Sequence, residues 1–109
     1  VDTKLAGAIS ALEGVAKTYP NTLAGFDAKM ELGSIYFEHG EGAAAYEKAL
    51  RWFESAANES PGDEHTSAAL YNQGYAQEAL GQCAEAVKTF DRAVNAGAGP
   101  LLGELLRAK

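Results

Sequence analysis

Isoleucine and valine are scarce in this chain: two Ile and four Val stand against 22 Ala in 109 residues. Alanine is the best helix former and β-branched residues favour strands, so a sheet-based fold is disfavoured. Long apolar runs are missing too. No stretch reaches the ~18 residues that a helix needs to span a bilayer, so none reads as a membrane-crossing helix. Cations are outnumbered, with nine Lys plus Arg facing fifteen Asp plus Glu and a net charge of −6. That balance lacks the positive field that gathers phosphate backbones, which argues against nucleic acid. The single cysteine, Cys83, cannot close an internal disulfide and reads as a small packing residue. The two histidines, His39 and His65, have no second His or Cys at metal-ligand spacing and read as exposed polar residues. The chain opens on Val1 without a signal-peptide pattern, and is read as a piece of a longer protein.

What is present is a core-forming composition, 47% hydrophobic with ten aromatics, arranged periodically. A shift of 41 residues lays Ala8 on Ala49, Leu12 on Phe53, Val15 on Ala56, Pro20 on Pro61, Gly33 on Gly74 and Gly40 on Gly81. A further shift of 37 carries Ala49, Phe53 and Ala56 onto Ala86, Phe90 and Ala93. The difference of four localises to an insertion, Gly42–Ala45, for which the sequence offers no function. A repeated period of this size marks a stack of supersecondary units.

Within each unit the apolar residues recur at three- and four-residue steps, as on amphipathic helices. Helices are predicted over Asp2–Lys17, Thr22–His39, Glu41 or Gly42 to Asn58, Asp63–Leu80 and Gln82–Ala96, with another from Leu101. Gly40 is expected to stop the second helix in a left-handed conformation, and the NESPG run at 58–62 to break the chain again. The whole chain, 1–109, is read as one domain: a half unit over 2–20, full units over 21–61 and 62–99, and a C-terminal helix over 100–109. Gly33, Gly74, Ala49, Ala56, Ala86 and Ala93 fall where helices would cross closely, and Phe53, Phe90, Leu12 and Tyr36 would fill the gaps between.

These positions resemble the tetratricopeptide repeat family, whose unit is a helix pair of about 34 residues. The first full unit matches through Leu32, Gly33, Tyr36, Ala49, Phe53, Ala56 and Pro61. The second matches through Leu70, Tyr71, Asn72, Gly74, Gly81, Ala86, Phe90 and Ala93. The resemblance implies an all-α fold, a right-handed superhelical stack of antiparallel helix pairs, that is, an α-solenoid. Departures are Lys29, where a large hydrophobe usually opens the signature, and Gln73, Gln77 and Cys83 at apolar or aromatic places. The long link between each proline and glycine looks like the bacterial cell-envelope branch. It tilts an otherwise open question of compartment toward the periplasm.

No Ser, Cys or His constellation, phosphate-binding glycine loop or calcium loop is present, so no enzyme, cofactor, metal or small-molecule substrate is expected. Glu47 and Arg51 are spaced for a weak surface pair, and Asp63 and Glu64 for a favourable meeting with a helix dipole.

A stacked repeat offers a concave wall lined by the first helix of each unit. The residues leaving the packing seam toward it are Asp27, Met30, Ser34 and Phe37 in the first unit, with Glu38 beside them, and Ala68, Tyr71, Tyr75 and Glu78 in the second. Apolar and aromatic groups rimmed by acids suit a protein or peptide segment with hydrophobic anchors and some basic character. Met30 and Phe37 have a second reading, as packing against the 2–17 helix. A tail-carboxylate clamp is disfavoured, because only Asn72 of its basic and amide set stands in place. Two functions follow: a non-catalytic scaffold that binds a partner segment in the groove, or self-association through unpaired terminal helices, including Leu101, Leu102, Leu105 and Leu106.

Overall fold

The alternation of apolar stretches and glycine or proline breaks resolves into helices alone. A computed structural model describes residues 3–97. It contains α1 (Thr3–Thr18), α2 (Leu23–His39), α3 (Gly42–Asn58), α4 (Asp63–Ala79) and α5 (Cys83–Ala96), and no strand among the described residues. The helices pack in chain order, each chiefly on its sequence neighbours, and the links of a few residues fold successive helices back on one another. The C-terminal helix expected over 100–109, with its four leucines, lies outside the described residues.

Local chemistry sets the helix ends. Thr22 caps α2: its hydroxyl accepts from Gly25 N at 3.1 Å and donates to the Tyr19 carbonyl at 2.9 Å. Asp63 and Glu64 occupy the first turn of α4, where the positive end of the helix dipole favours them. Gly40 does end α2, but not in the left-handed conformation expected of it; its φ of −81° and ψ of 165° are extended. The left-handed glycines are Gly42 and Gly81, with φ of 74° and 79°. Gly40 is small for a different reason: a Cβ there would collide with the Tyr36 carbonyl and Ala45. The Gly42–Ala45 insertion forms the first turn of α3, which makes α3 longer than α5, 17 residues against 14.

The small residues of the repeat lie where helices meet. Ala49, Ala56, Ala86 and Ala93 are buried, and Cβ atoms on Gly33 and Gly74 would strike the rings of Phe53 and Phe90. The exception is Ala8, exposed on α1, which packs chiefly on α2 alone. Phe26, Ala56, Ala57, Ala69, Leu70 and Ala93 form one cluster through α2–α5. Leu32 with Ala16 and Ala28 form another against Leu12, Val15 and Trp52. Ser67 donates to the Ala93 carbonyl at 2.7 Å and ties α4 to α5.

Three polar expectations are corrected. Cys83 is exposed at the start of α5 rather than buried. Its repeat counterpart Tyr46 packs on Phe37, ring centroids 5.3 Å apart, but the counterpart of Phe37 beside α5 is Glu78, which offers no ring. His39 is exposed as expected, whereas His65 is half-buried and packs edge-on against Phe26 at 5.1 Å. Glu47 and Arg51 are exposed and form no ion pair with each other among the described residues.

Candidate functional site

Helical spacing decides which side chains of α2 and α4 face the same space. Ser34, Phe37 and Glu38 follow one another around the C-terminal half of α2, and Asn72, Tyr75 and Ala79 recur at three- and four-residue steps on α4. The structure brings these two rows together above Phe53 of α3. A cavity of about 290 Å³ is lined by Phe37, Phe53, Asn72, Tyr75, Glu78 and Ala79. A second, of about 250 Å³, shares Phe37, Phe53 and Asn72 and runs on to Ser34 and Glu38. The two adjoin as one groove across α2, α3 and α4.

Its floor is apolar and closely packed. Phe53 is 2% exposed and packed with Ala49 and Ala76, and Phe37 leans on that cluster and on Tyr46. Tyr75 stands up from the wall, 52% exposed, with its ring edge-on to Phe90 at 5.2 Å. Asn72 Nδ2 donates to the Ala68 carbonyl at 3.0 Å, which fixes the amide and leaves its Oδ1 as an acceptor. The carboxylates of Glu38 and Glu78 are exposed at the rim, and no Lys, Arg or His lines either cavity.

Of the residues singled out from the sequence, Ser34, Phe37, Glu38, Tyr75 and Glu78 meet around this groove. Asp27 and Ala68 are exposed and line neither cavity. Met30 and Tyr71 are half-buried and drawn into the helix packing instead, Met30 between two core clusters and Tyr71 against the Phe26 cluster and Phe90. The Tyr71 hydroxyl oxygen is buried with no hydrogen-bond partner among the described residues. Phe37 packs on α3 rather than on α1. Sequence reasoning left out Phe53, Asn72 and Ala79. The 72, 75, 79 spacing on one helical face was the available signal for Asn72 and Ala79.

A different cavity, of about 360 Å³, lies where α1, α2 and α3 meet, lined by residues including Lys17, Pro20, Trp52, Lys29 and Glu59. Lys29 is buried there and its ammonium donates to Glu59, the C-cap of α3, which also accepts from Ser55 at 3.4 Å. The hydrogen bond from Lys29 holds the Glu59 carboxyl below its ordinary value of 4.5; burial opposes this, and the Lys29 charge and Ser55 add to it. Among the described residues no His, Cys, Asp and Glu cluster is arranged to hold a metal, and no helix is long and apolar enough to cross a membrane.

Helix pairs stacked in chain order, with a groove crossing them, define a helical-repeat architecture. A family model described as tetratricopeptide repeat matches residues 68–96, which covers most of α4 and all of α5. The match includes Tyr71, Asn72, Gly74, Tyr75, Glu78 and Phe90. Repeats of this family generally mediate protein–protein interactions and are typically non-catalytic. No curated protein and no solved structure matches the chain significantly.

Proposed function

We propose that this chain is a non-catalytic interaction scaffold that holds a segment of a partner protein in the groove between α2 and α4. The observation that carries this reading is the apolar floor of Phe37, Phe53 and Ala79 left open beside the exposed ring of Tyr75. Aromatic side chains in a concave, partly desolvated setting are the usual anchors of protein interfaces. The matched repeat supports it, since α4 supplies Asn72, Tyr75 and Glu78 to the groove. Capture of partner protein by the wild-type chain and by Tyr75→Ala, at equal helical content by circular dichroism, tests the assignment. Loss of capture in the variant is expected; undiminished capture places the contact elsewhere.

Self-association is the second reading. It is favoured by a cleft of about 120 Å³ between α1 and α2, bordered by Leu5, Ile9, Ile35 and Tyr36, and by Val87 of α5, 64% exposed. Apolar helix faces left uncovered in a repeat stack are adhesive. A concentration series in sedimentation equilibrium decides it, and a strict monomer removes it.

A further inference from the structure

The chemistry of the groove names its occupant more closely. We infer that it receives a long basic side chain, lysine or arginine, carried by the bound segment; this rests on the groove reading above. The apolar part is a slot between Phe37 and Tyr75 over Phe53, continued by Ala79. The charged groups around it are both acceptors, Glu78 at one cavity and Glu38 at the other; the Asn72 Oδ1 accepts where the two adjoin, and the hydroxyls of Ser34 and Tyr75 can accept as well as donate. Asn72 has already committed an N–H to Ala68, and no cationic side chain lines either cavity.

Each class of side chain meets this arrangement differently. An acidic one is repelled by both carboxylates. A purely apolar one fills the slot, but the segment carrying it covers Glu38 and Glu78 without giving them a donor, and a desolvated carboxylate without a partner is costly. Lysine and arginine satisfy both demands, because an aliphatic stem lies along the aromatic walls while the charged head reaches an acceptor. The exposed face of Tyr75 adds a cation–π surface for that head. The chain's net charge of −6 steers the same class of partner toward it.

The test uses the full chain, labelled with 15N, and three end-blocked peptides identical except for arginine, norleucine or glutamate at the centre. The arginine peptide is expected to shift the amides around Phe37, Asn72, Tyr75 and Glu78. It should bind about tenfold tighter than the norleucine peptide at low salt, the scale of one charge-assisted hydrogen bond. The margin should collapse in the Glu38→Gln/Glu78→Gln double variant, whose altered residues are exposed; an unchanged helical content by circular dichroism is expected of it. Equal or tighter binding of norleucine at the same amides, unchanged in the double variant, overturns the basic-side-chain inference and leaves the groove reading standing. Peptide-induced shifts confined to surfaces outside the groove, or no shifts with any peptide, overturn the groove reading itself.

Discussion

Lys29 and Glu59 are 30 residues apart in sequence and joined through their side chains, the lysine 4% exposed and the glutamate 38%. Lys29 occupies the place on α2 where the repeat pattern expects a large hydrophobe, so a charge has been set into a helix junction. Glu59, at the end of α3, is the partner that makes that burial tolerable, and Ser55 one turn earlier steadies it. The cavity beside them, walled by Trp52 and Pro20, is space that the lysine does not fill. The pair therefore has an asymmetric energetic role: one partner is sealed in, and the other still touches water.

That asymmetry predicts which half of the pair is harder to lose. Glu59→Gln leaves a buried ammonium without its counter-charge and should destabilise by about 1–3 kcal/mol, below the range for fully buried pairs because Glu59 is partly hydrated. Lys29→Met removes the buried charge and lets the Glu59 carboxylate hydrate, so it should lie within about 1 kcal/mol of wild type. Urea unfolding of both variants checks the order. A Lys29→Met variant clearly less stable than Glu59→Gln would mean that the lysine contributes through packing and not through its charge.

The same pair fixes the sign of an acid response. Because the folded-state value of Glu59 is depressed, its contribution to stability is present in full above the ordinary carboxylate range. It is lost as pH falls through the folded-state value, when the carboxyl takes a proton and Lys29 is left buried without its counter-charge. The difference in urea midpoint between wild type and Glu59→Gln should be constant from neutral pH to about 5 and shrink below that. A gap that widens toward acid contradicts the depressed value.

The two glycine–phenylalanine crossings look alike but should not respond alike. Phe53 opposite Gly33 is 2% exposed, whereas Phe90 opposite Gly74 is only half-buried. Alanine at either glycine gains about 1 kcal/mol of helix propensity and meets a ring closer than a real Cβ contact allows. Where the ring is enclosed, overpacking costs about 1–3 kcal/mol and outweighs that gain; where the ring can swing outward, the two roughly cancel. Gly33→Ala should thus lower thermal stability and Gly74→Ala change it little. Adding Phe53→Leu should cost less in the Gly33→Ala background than in wild type, a coupling that a double-mutant cycle measures.

The helices themselves were legible in the sequence because their evidence is local and repeated. Apolar periodicity, Thr22, Pro61 and the glycines each act within a few residues, and the bounds of α2 and α3 agree with expectation to a residue or so. The groove was legible only in part, because it depends on how one helix is rotated about its axis against another. A turn of one residue, about 100°, exchanges Tyr71 for Asn72 as the side chain that faces the opening. That rotation is set by contacts far apart in the chain, such as Tyr71 against Phe90 and Ser67 on the Ala93 carbonyl. Lys29 was visible as a departure from the pattern, but its partner was not, since nothing local links residue 29 to residue 59. Gly40 reads as left-handed because glycine commonly takes that conformation just past a helix end; the positive φ falls instead at Gly42, the first residue of the inserted turn.

Stability and recognition should separate most cleanly at Tyr75. Its side chain is 52% exposed, its described ring contact is with Phe90, and its removal leaves no enclosed void. Tyr75→Ala should therefore change unfolding free energy by less than about 1 kcal/mol while removing one wall of the groove. Phe37→Ala offers the contrast. That ring is half-buried against Tyr46 and the Phe53 cluster, so its loss should cost about 1–3 kcal/mol as well as weakening binding. Thermal melts alongside titration with the arginine peptide distinguish the two. If both variants lose stability equally, Tyr75 is a packing residue and its exposure has misled; if only Phe37→Ala is destabilised while both lose affinity, the wall and the floor of one groove have been told apart.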